Sequence, residues 1–187
     1  MNNISQELLA RASNGDMGAF EEIYKASSGF VYNVCLRITQ DIPDAEEATQ
    51  DVFLKIHRNL KDFAFRSSFK TWIYRIAVNA AINRYRVSAR NRGRYLSYDE
   101  GSGNDAFPVE SQVYESADKE ERKAMVDSLL SSLSAELRSC IVLREIEGMD
   151  YKEIARTLDI PINTVRSRLK RAREKLLIYA AGGGGRS

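Results

Sequence analysis

"YKEIARTLDIPINTVRSRLKRAREKL" (residues 151–176) is read from its apolar spacing. Ile154, Ala155 and Leu158 share one side of a short helix. Asp159 falls where the chain must turn, and Pro161 suits the first turn of a second helix. Val165, Leu169, Ala172 and Leu176 then recur at i, i+4, i+7 and i+11, one inward face of that helix. The small side chain of Ala155 lets the two helices cross closely, as a helix-turn-helix requires. Residues 161–176 carry six bases (Arg166, Arg168, Lys170, Arg171, Arg173, Lys175) against Glu174 alone, a net charge of +5. Phosphates attract such a surface, and arginine can also fork onto a guanine edge. Helices of this kind bring their N-terminal exposed residues to the bases. That nominates Asn163, Thr164, Arg166, Ser167, Lys170 and Arg171, with Arg168 in the same basic run. A merely solvated basic helix would not need the turn that precedes this one.

A second unusual helix lies some 80 residues upstream, at "FKTWIYRIAVNAAINRYR" (69–86). Phe69, Trp72, Ile73, Ile76, Ala77 and Ala80 follow a helical period and are expected inside. The other side offers Tyr74, Arg75, Asn79, Asn83, Arg84, Tyr85 and Arg86, and the stretch holds no acidic residue. Arg90, Arg92 and Arg94 extend the run. Aromatic rings interleaved with arginines suit an unstacked nucleic-acid strand, in which bases stack while cations hold the backbone.

Working outward, strand signals are nearly absent, and the expected fold class is all-α. Ile4, Leu8, Leu9 and Ala12 mark a short first helix. Asp16 reads as the N-cap of a longer one with Phe20, Ile23, Tyr24, Val31, Val34, Cys35 and Ile38 on its apolar face. "TQDIPDAE" breaks it. A third helix buries Ala48, Val52, Ile56 and Leu60, and opens with Asp44, Glu46, Glu47 and Asp51, acids that favour a helix N-terminus. Residues 97–118 hold six acids and no base, with Gly, Ser and Pro, the composition of a linker. Asp118 is expected to cap the next helix, with Glu121 completing a capping box, and Ser134 the one after, which Gly148 ends. The organisation expected is therefore two small helical domains, 1–96 and 119–180, joined by a flexible acidic linker, 97–118, with a flexible tail at 181–187.

Composition is that of an ordinary soluble protein: 187 residues, 29% charged, 43% hydrophobic, net charge +2. No apolar run approaches a membrane span, and the N-terminus lacks the pattern of a signal peptide. Cys35 and Cys140 stand alone and read as buried thiols, which suits the reducing cytoplasm. His57 is expected to be solvated or capping. A nucleic-acid enzyme would need metal-ligating carboxylates beside a His or Lys. The acids at 44–51 lack such a neighbour, so no catalytic residue, metal or cofactor is expected. A stand-alone helix-turn-helix regulator is the rival reading, but it would need a sensing pocket in the first half.

Four segments together resemble the extracytoplasmic-function (ECF) sigma factors, the small two-domain branch of the sigma-70 family. "NGDMGAFEEIY" is similar to the family's opening core-binding segment, and "DAEEATQDVFLKIHRNLKDF" to its polymerase-clamp helix. "FKTWIYRIAVNAAINRYR" resembles the promoter-melting helix, and "LREIEGMDYKEIARTLDIPINTVRSRLKRAREKL" the helix-turn-helix that reads the −35 element. The resemblance implies a non-enzymatic factor that directs RNA polymerase to promoters, in an envelope or environmental stress response. It implies core RNA polymerase as partner of Asp44, Glu46, Glu47 and Asp51, promoter DNA as the second partner, and an anti-sigma factor as the third, with no membrane insertion of the chain itself. It places a pocket for a flipped −10 base at Phe63, Ile76, Asn79 and Ala80, with Arg75, Asn83, Arg84 and Arg86 alongside. Asp159 and Asn163 depart from the glycines common at those positions, and both tolerate left-handed backbone.

Overall fold

The computed structural model describes residues 4–63, 67–96 and 117–181. The expectations for residues 97–116 and for the tail beyond Ala181 lie outside the described residues. Within them the chain forms eight α-helices and no strand, as the all-α reading requires.

Side-chain caps fix the helix starts. Ser5 accepts from the Leu8 N–H at 3.1 Å to open α1 (Gln6–Ser13). Asp16 accepts from Ala19 N–H at 3.0 Å to open α2 (Met17–Thr39). That helix ends on Gln40, left-handed at φ 57°. Asp41 then accepts from Asp44 N–H at 2.9 Å to start α3 (Ile42–Asn59). Each cap satisfies an otherwise orphaned donor and contributes about 1 kcal/mol. A short 3-10 turn (Leu60–Asp62) leads toward α4 (Phe69–Leu96).

The second half begins with α5 (Ala117–Ser131), so Asp118 lies inside the helix instead of capping it. Its capping box with Glu121 is thereby corrected: the helix starts two residues earlier than the acid pattern indicated. Next, α6 (Ala135–Ile141) continues through a π-helical turn (Val142–Ile146) and stops near Gly148, at φ 69°. The true capping box belongs to α7 (Tyr151–Leu158). Asp150 accepts from Glu153 N–H at 2.7 Å, and the Glu153 carboxylate accepts from Asp150 N–H at 2.8 Å. Helix α8 (Ile162–Ala181) follows a left-handed Asp159, φ 54°.

In the first half α2, α3 and α4 pack on one another through Ile23, Val34, Cys35, Ile38, Val52, Ile56, Ile73, Ala77 and Ala81. Each large aliphatic side chain buried there stabilises by about 1.5–3 kcal/mol. In the second half Leu130, Leu137, Ile141, Leu143, Ile154, Val165 and Leu169 serve the same purpose.

The halves also pack against each other. Helices α6 and α7 lie on α4, and α6 on α2, in one continuous core. The seam is rich in polar groups. Tyr74, 2% exposed, donates its hydroxyl to the Glu147 carboxylate. Glu147 also pairs with Arg37 at 3.6 Å. Arg138, likewise 2% exposed, reaches across to the Ile38 carbonyl while holding Leu130 and Leu133 carbonyls at 2.8 and 2.9 Å. Tyr74 was expected on the polar outer side of its helix. It is buried because the second half covers that side, which helical period within one segment cannot reveal.

Candidate nucleic-acid interface

The turn between α7 and α8 sets the basic helix. Left-handed backbone at Asp159 reverses the chain in one residue, and its N–H closes α7 on the Ala155 carbonyl. Val165, Leu169 and Ala172 are then buried. The opposite side leaves Asn163, Arg166, Lys170 and Arg171 exposed, with Thr164 and Ser167 half-exposed. Arg166 donates to the Asn163 amide oxygen at 3.2 Å, and Ser167 to the Thr164 carbonyl at 3.0 Å. Lys170 lies 3.9 Å from Glu174, one turn on. Arg168 differs from its neighbours: it is half-buried against α6, beside Glu136 and the Cys140 thiol. Arg173 pairs with Glu145 at 2.8 Å. The leading, exposed set is therefore Asn163, Arg166, Lys170 and Arg171.

Along α4, Arg75, Asn79, Asn83 and Arg86 form an exposed stripe at i, i+4, i+8 and i+11. At 1.5 Å per residue it runs about 16 Å. Ile76 is half-buried and Ala80 is 5% exposed, at the edge of the stripe. Phe63 sits elsewhere: buried, with ring centroids 5.6 Å from Phe69 and 5.1 Å from Trp72. It borders a cavity of about 450 Å³ that Ser5, Gln6, Ser67, Ser68 and Phe69 also line. Ile76, Asn79 and Ala80 do not line that cavity. Phe69 and Asn79 are ten residues apart, about 15 Å along the helix. Phe63 thus meets the start of α4 at Phe69 and Trp72, and Asn79 lies seven residues beyond Trp72, about 10 Å along that helix.

The acids of α3 divide in two. Asp44 was expected on an exposed helix start, but it is 5% exposed. Its carboxylate accepts from Arg84 Nε at 2.9 Å and from the Ser88 hydroxyl at 2.7 Å. Arg84 also pairs with Glu47. These carboxylates hold the Arg84 guanidinium above its ordinary pKa. Asp44 is drawn in because α4 passes over the start of α3. Glu46, Glu47 and Asp51 remain exposed, and Leu54, 53% exposed, continues their side. Sequence reasoning passed over Leu54, although an apolar residue one turn beyond Asp51 on an acidic face was a visible signal.

It also passed over the partners of the α4 cations. Arg75 lies 3.2 Å from Asp159, and Arg86 lies 2.8 Å from Glu136. Arg86 holds the Glu136 carboxyl below the usual carboxylate range. The acids that face Arg75 and Arg86 come from the second half, whereas those that face Arg84 come from α3.

Among the described residues no group of His, Cys, Asp and Glu side chains could hold a metal ion, and no helix is long and apolar enough to cross a membrane. Cys35 and Cys140 are buried, and burial pushes their thiols up to about 12 and about 11. His57 is exposed, edge-on to Phe20 at 5.0 Å.

A helix-turn-helix with a basic second helix, accompanied by another basic helix that carries amides and arginines, is the arrangement of a DNA-binding protein. Residues 23–91 match the family described as sigma-70 region 2, and residues 123–176 the one described as sigma-70, region 4. The RNA polymerase sigma-H factor of Pseudomonas aeruginosa is 33% identical over 179 residues, which cover 91% of each chain. The ECF RNA polymerase sigma-E factor of Escherichia coli K12 is 33% identical over 186 residues, again 91% of each. The solved structure of CnrH in complex with the cytosolic domain of CnrY superposes with a TM-score of 0.67 at 26% identity, over 97% of this chain and 99% of that one. The chain belongs to the sigma-70 family, as an ECF sigma factor. It is a transcription-initiation factor and not an enzyme.

Proposed function

We propose that this sigma factor divides its work among three surfaces. The exposed acids Glu46, Glu47 and Asp51, with Leu54 beside them, take a basic, partly apolar element of core RNA polymerase. Asp44 supports that surface from within by anchoring Arg84. The exposed start of α8, Asn163, Thr164, Arg166, Ser167, Lys170 and Arg171, reads the duplex −35 element, and Arg168 steadies the helix against α6. The α4 stripe captures the −10 strand as it opens. Phe63 and Ile76 supply apolar walls, Asn79 and Asn83 offer donor and acceptor to base edges, and Arg75 and Arg86 hold the backbone, with Ala80 leaving room. Residues 1–96 and 119–180 are the working domains, and 97–118 the acidic connection between them.

The observation that carries this reading is the exposed run Arg75–Asn79–Asn83–Arg86, amides bracketed by cations on one line. CnrH is held by the cytosolic domain of CnrY. An anti-sigma protein is the corresponding partner proposed here, with the cytoplasm as compartment and an envelope or environmental stress response as setting. The test is in vitro transcription with core polymerase. A Glu46, Glu47 and Asp51 triple reversal to lysine should abolish core binding in a folded protein, since reversed interface charges cost a few kcal/mol. Arg171→Ala should weaken −35 binding by about 1–3 kcal/mol and relax one base position. Asn79→Ala should spare both and lower strand opening, read by permanganate footprinting. A triple mutant that binds core normally, or Asn79→Ala melting with unchanged base preference, would sink the corresponding assignment.

A further inference from the structure

A cleft of about 360 Å³ lies between α2 and α5, on residues that neither the promoter surfaces nor the polymerase surface uses. Small-molecule clefts start at about 300 Å³ and combine apolar walls with a few placed polar groups. Leu36 of α2, half-buried, and Val126 of α5, 44% exposed, supply the apolar walls. Arg37 of α2 and Arg122 and Lys123 of α5 bring three cations to it. Asn33 adds an amide, and Asp127 a carboxylate.

The positive charge of this cleft is left largely unneutralised. Elsewhere Arg75, Arg84 and Arg86 each face a carboxylate, and Arg138 is taken up by carbonyls. Arg122 and Lys123 are exposed and form no ion pair among the described residues. Arg37 reaches Glu147 only at 3.6 Å, wider than a hydrogen bond. Asp127 is half-buried, and burial pushes its carboxyl up even though Lys123 and Arg37 draw it down. Such a carboxylate gains from a hydroxyl or N–H that donates to it.

We propose that the α2–α5 cleft binds a ribonucleoside polyphosphate. Three cations short of acids call for a polyanion, and guanidinium groups fork onto phosphate oxygens. Inorganic phosphate alone would meet Asp127 as a like charge and leave Leu36 and Val126 bare. A ribonucleotide answers each group in turn. Its phosphates meet Arg37, Arg122 and Lys123, and its base lies between Leu36 and Val126. The Asn33 amide offers a donor and an acceptor to the base edge. The ribose hydroxyls donate to Asp127, as they do to the acidic residue of dinucleotide-binding folds. One bound molecule would thus join α2 of the first half to α5 of the second. The proposal does not depend on which surface takes the −10 strand.

Titration calorimetry on the full chain tests this, with ATP, GTP, their 2′-deoxy forms and inorganic tripolyphosphate at about 0.15 M ionic strength. ATP or GTP should bind one-to-one with Kd below about 1 mM, and its deoxy form and tripolyphosphate about tenfold more weakly. An Arg122→Gln, Lys123→Gln variant should lose at least about tenfold in nucleotide affinity. Arg122→Gln alone should fall between that variant and the parent, which guards against a misfolded double variant. Asp127→Asn should erase most of the preference for ribose over deoxyribose. Lys55→Gln with Arg58→Gln, which removes two exposed cations of α3, should change nothing. No saturable binding of either nucleotide up to about 1 mM overturns the proposal. So does tripolyphosphate binding as tightly as the nucleotides, or an equal loss in the α3 variant. Binding of a short oligodeoxynucleotide in place of the mononucleotides, lost in the double variant, would reassign the cleft to nucleic acid and overturn it as well.

Discussion

Arg138 is a cation buried without a carboxylate among the partners described for it, and its removal gives the sharpest stability prediction. Its guanidinium donates to the Leu130, Leu133 and Ile38 carbonyls and lies 5.2 Å from the centre of the Tyr85 ring. Burial lowers its pKa. Arg138→Ala would orphan those carbonyls and leave a cavity. Hydrogen bonds to a charged group contribute about 1.5–3 kcal/mol each, and such terms do not add fully. The expected loss is about 3–5 kcal/mol, the range for breaking a buried charged network. At about 2–4 °C per kcal/mol for a chain of this size, calorimetry should show Tm falling by roughly 6–20 °C. Arg138→Met keeps much of the volume and removes the buried charge, so it should cost clearly less. A loss below about 1 kcal/mol for Arg138→Ala would refute this account of the seam, as would a methionine variant worse than the alanine one.

Both native thiols should resist a thiol reagent at pH 8 and react fully after unfolding, because their pKa values are pushed up to about 12 at Cys35 and about 11 at Cys140. The Glu136–Arg86 contact should be insensitive to pH above about 5. The Glu136 carboxyl is held below its usual value, so its contribution is complete above about pH 4.3 and is lost as pH falls through the lowered value. The stability difference between the parent and Glu136→Gln should therefore be flat from pH 8 to 5 and shrink in more acid solution. Asp159→Gly should act in two directions. Glycine relieves the left-handed turn at φ 54° and should raise stability by about 0.5 kcal/mol. The lost Arg75 pair is exposed and should cost less than about 1 kcal/mol, so a fall in Tm of more than about 4 °C would contradict this account of Asp159.

Elements set by local chemistry were legible in the sequence. Asp16 caps α2, the turn falls at Asp159, and Val165, Leu169 and Ala172 are inside, because each depends on residues within a few positions. The partners that cross the chain were not legible. Asp44 looked like one of four exposed acids at a helix start, but α4, forty residues later, brings Arg84 and Ser88 onto it and buries it. Tyr74 looked like part of an outer face, and its partner Glu147 lies 73 positions away. Phe63 was tied to Asn79 by resemblance alone, and its ring contacts with Phe69 and Trp72 join a loop to the start of α4, which no helical period could indicate.

The same comparison separates permanent from exchangeable contacts on α4. Arg84, Arg75 and Arg86 all lacked an acid in their own segment, and each found one across the fold. The Asp44 side chain that takes Arg84 is only 8% exposed and also accepts from Ser88, so breaking that pair would strand a buried carboxylate. Asp159, which takes Arg75, is 78% exposed, and Glu136, which takes Arg86, is 33% exposed. Water already reaches those two acids, so their pairs add little to stability. Arg84 thus ties α3 to α4 through a buried carboxylate, whereas Arg75 and Arg86 are held by more exposed pairs. A helix that kept acids in its own sequence would neutralise all three arginines permanently. Placing two of the acids on the other half makes the charge along Arg75 and Arg86 depend on how the two halves pack.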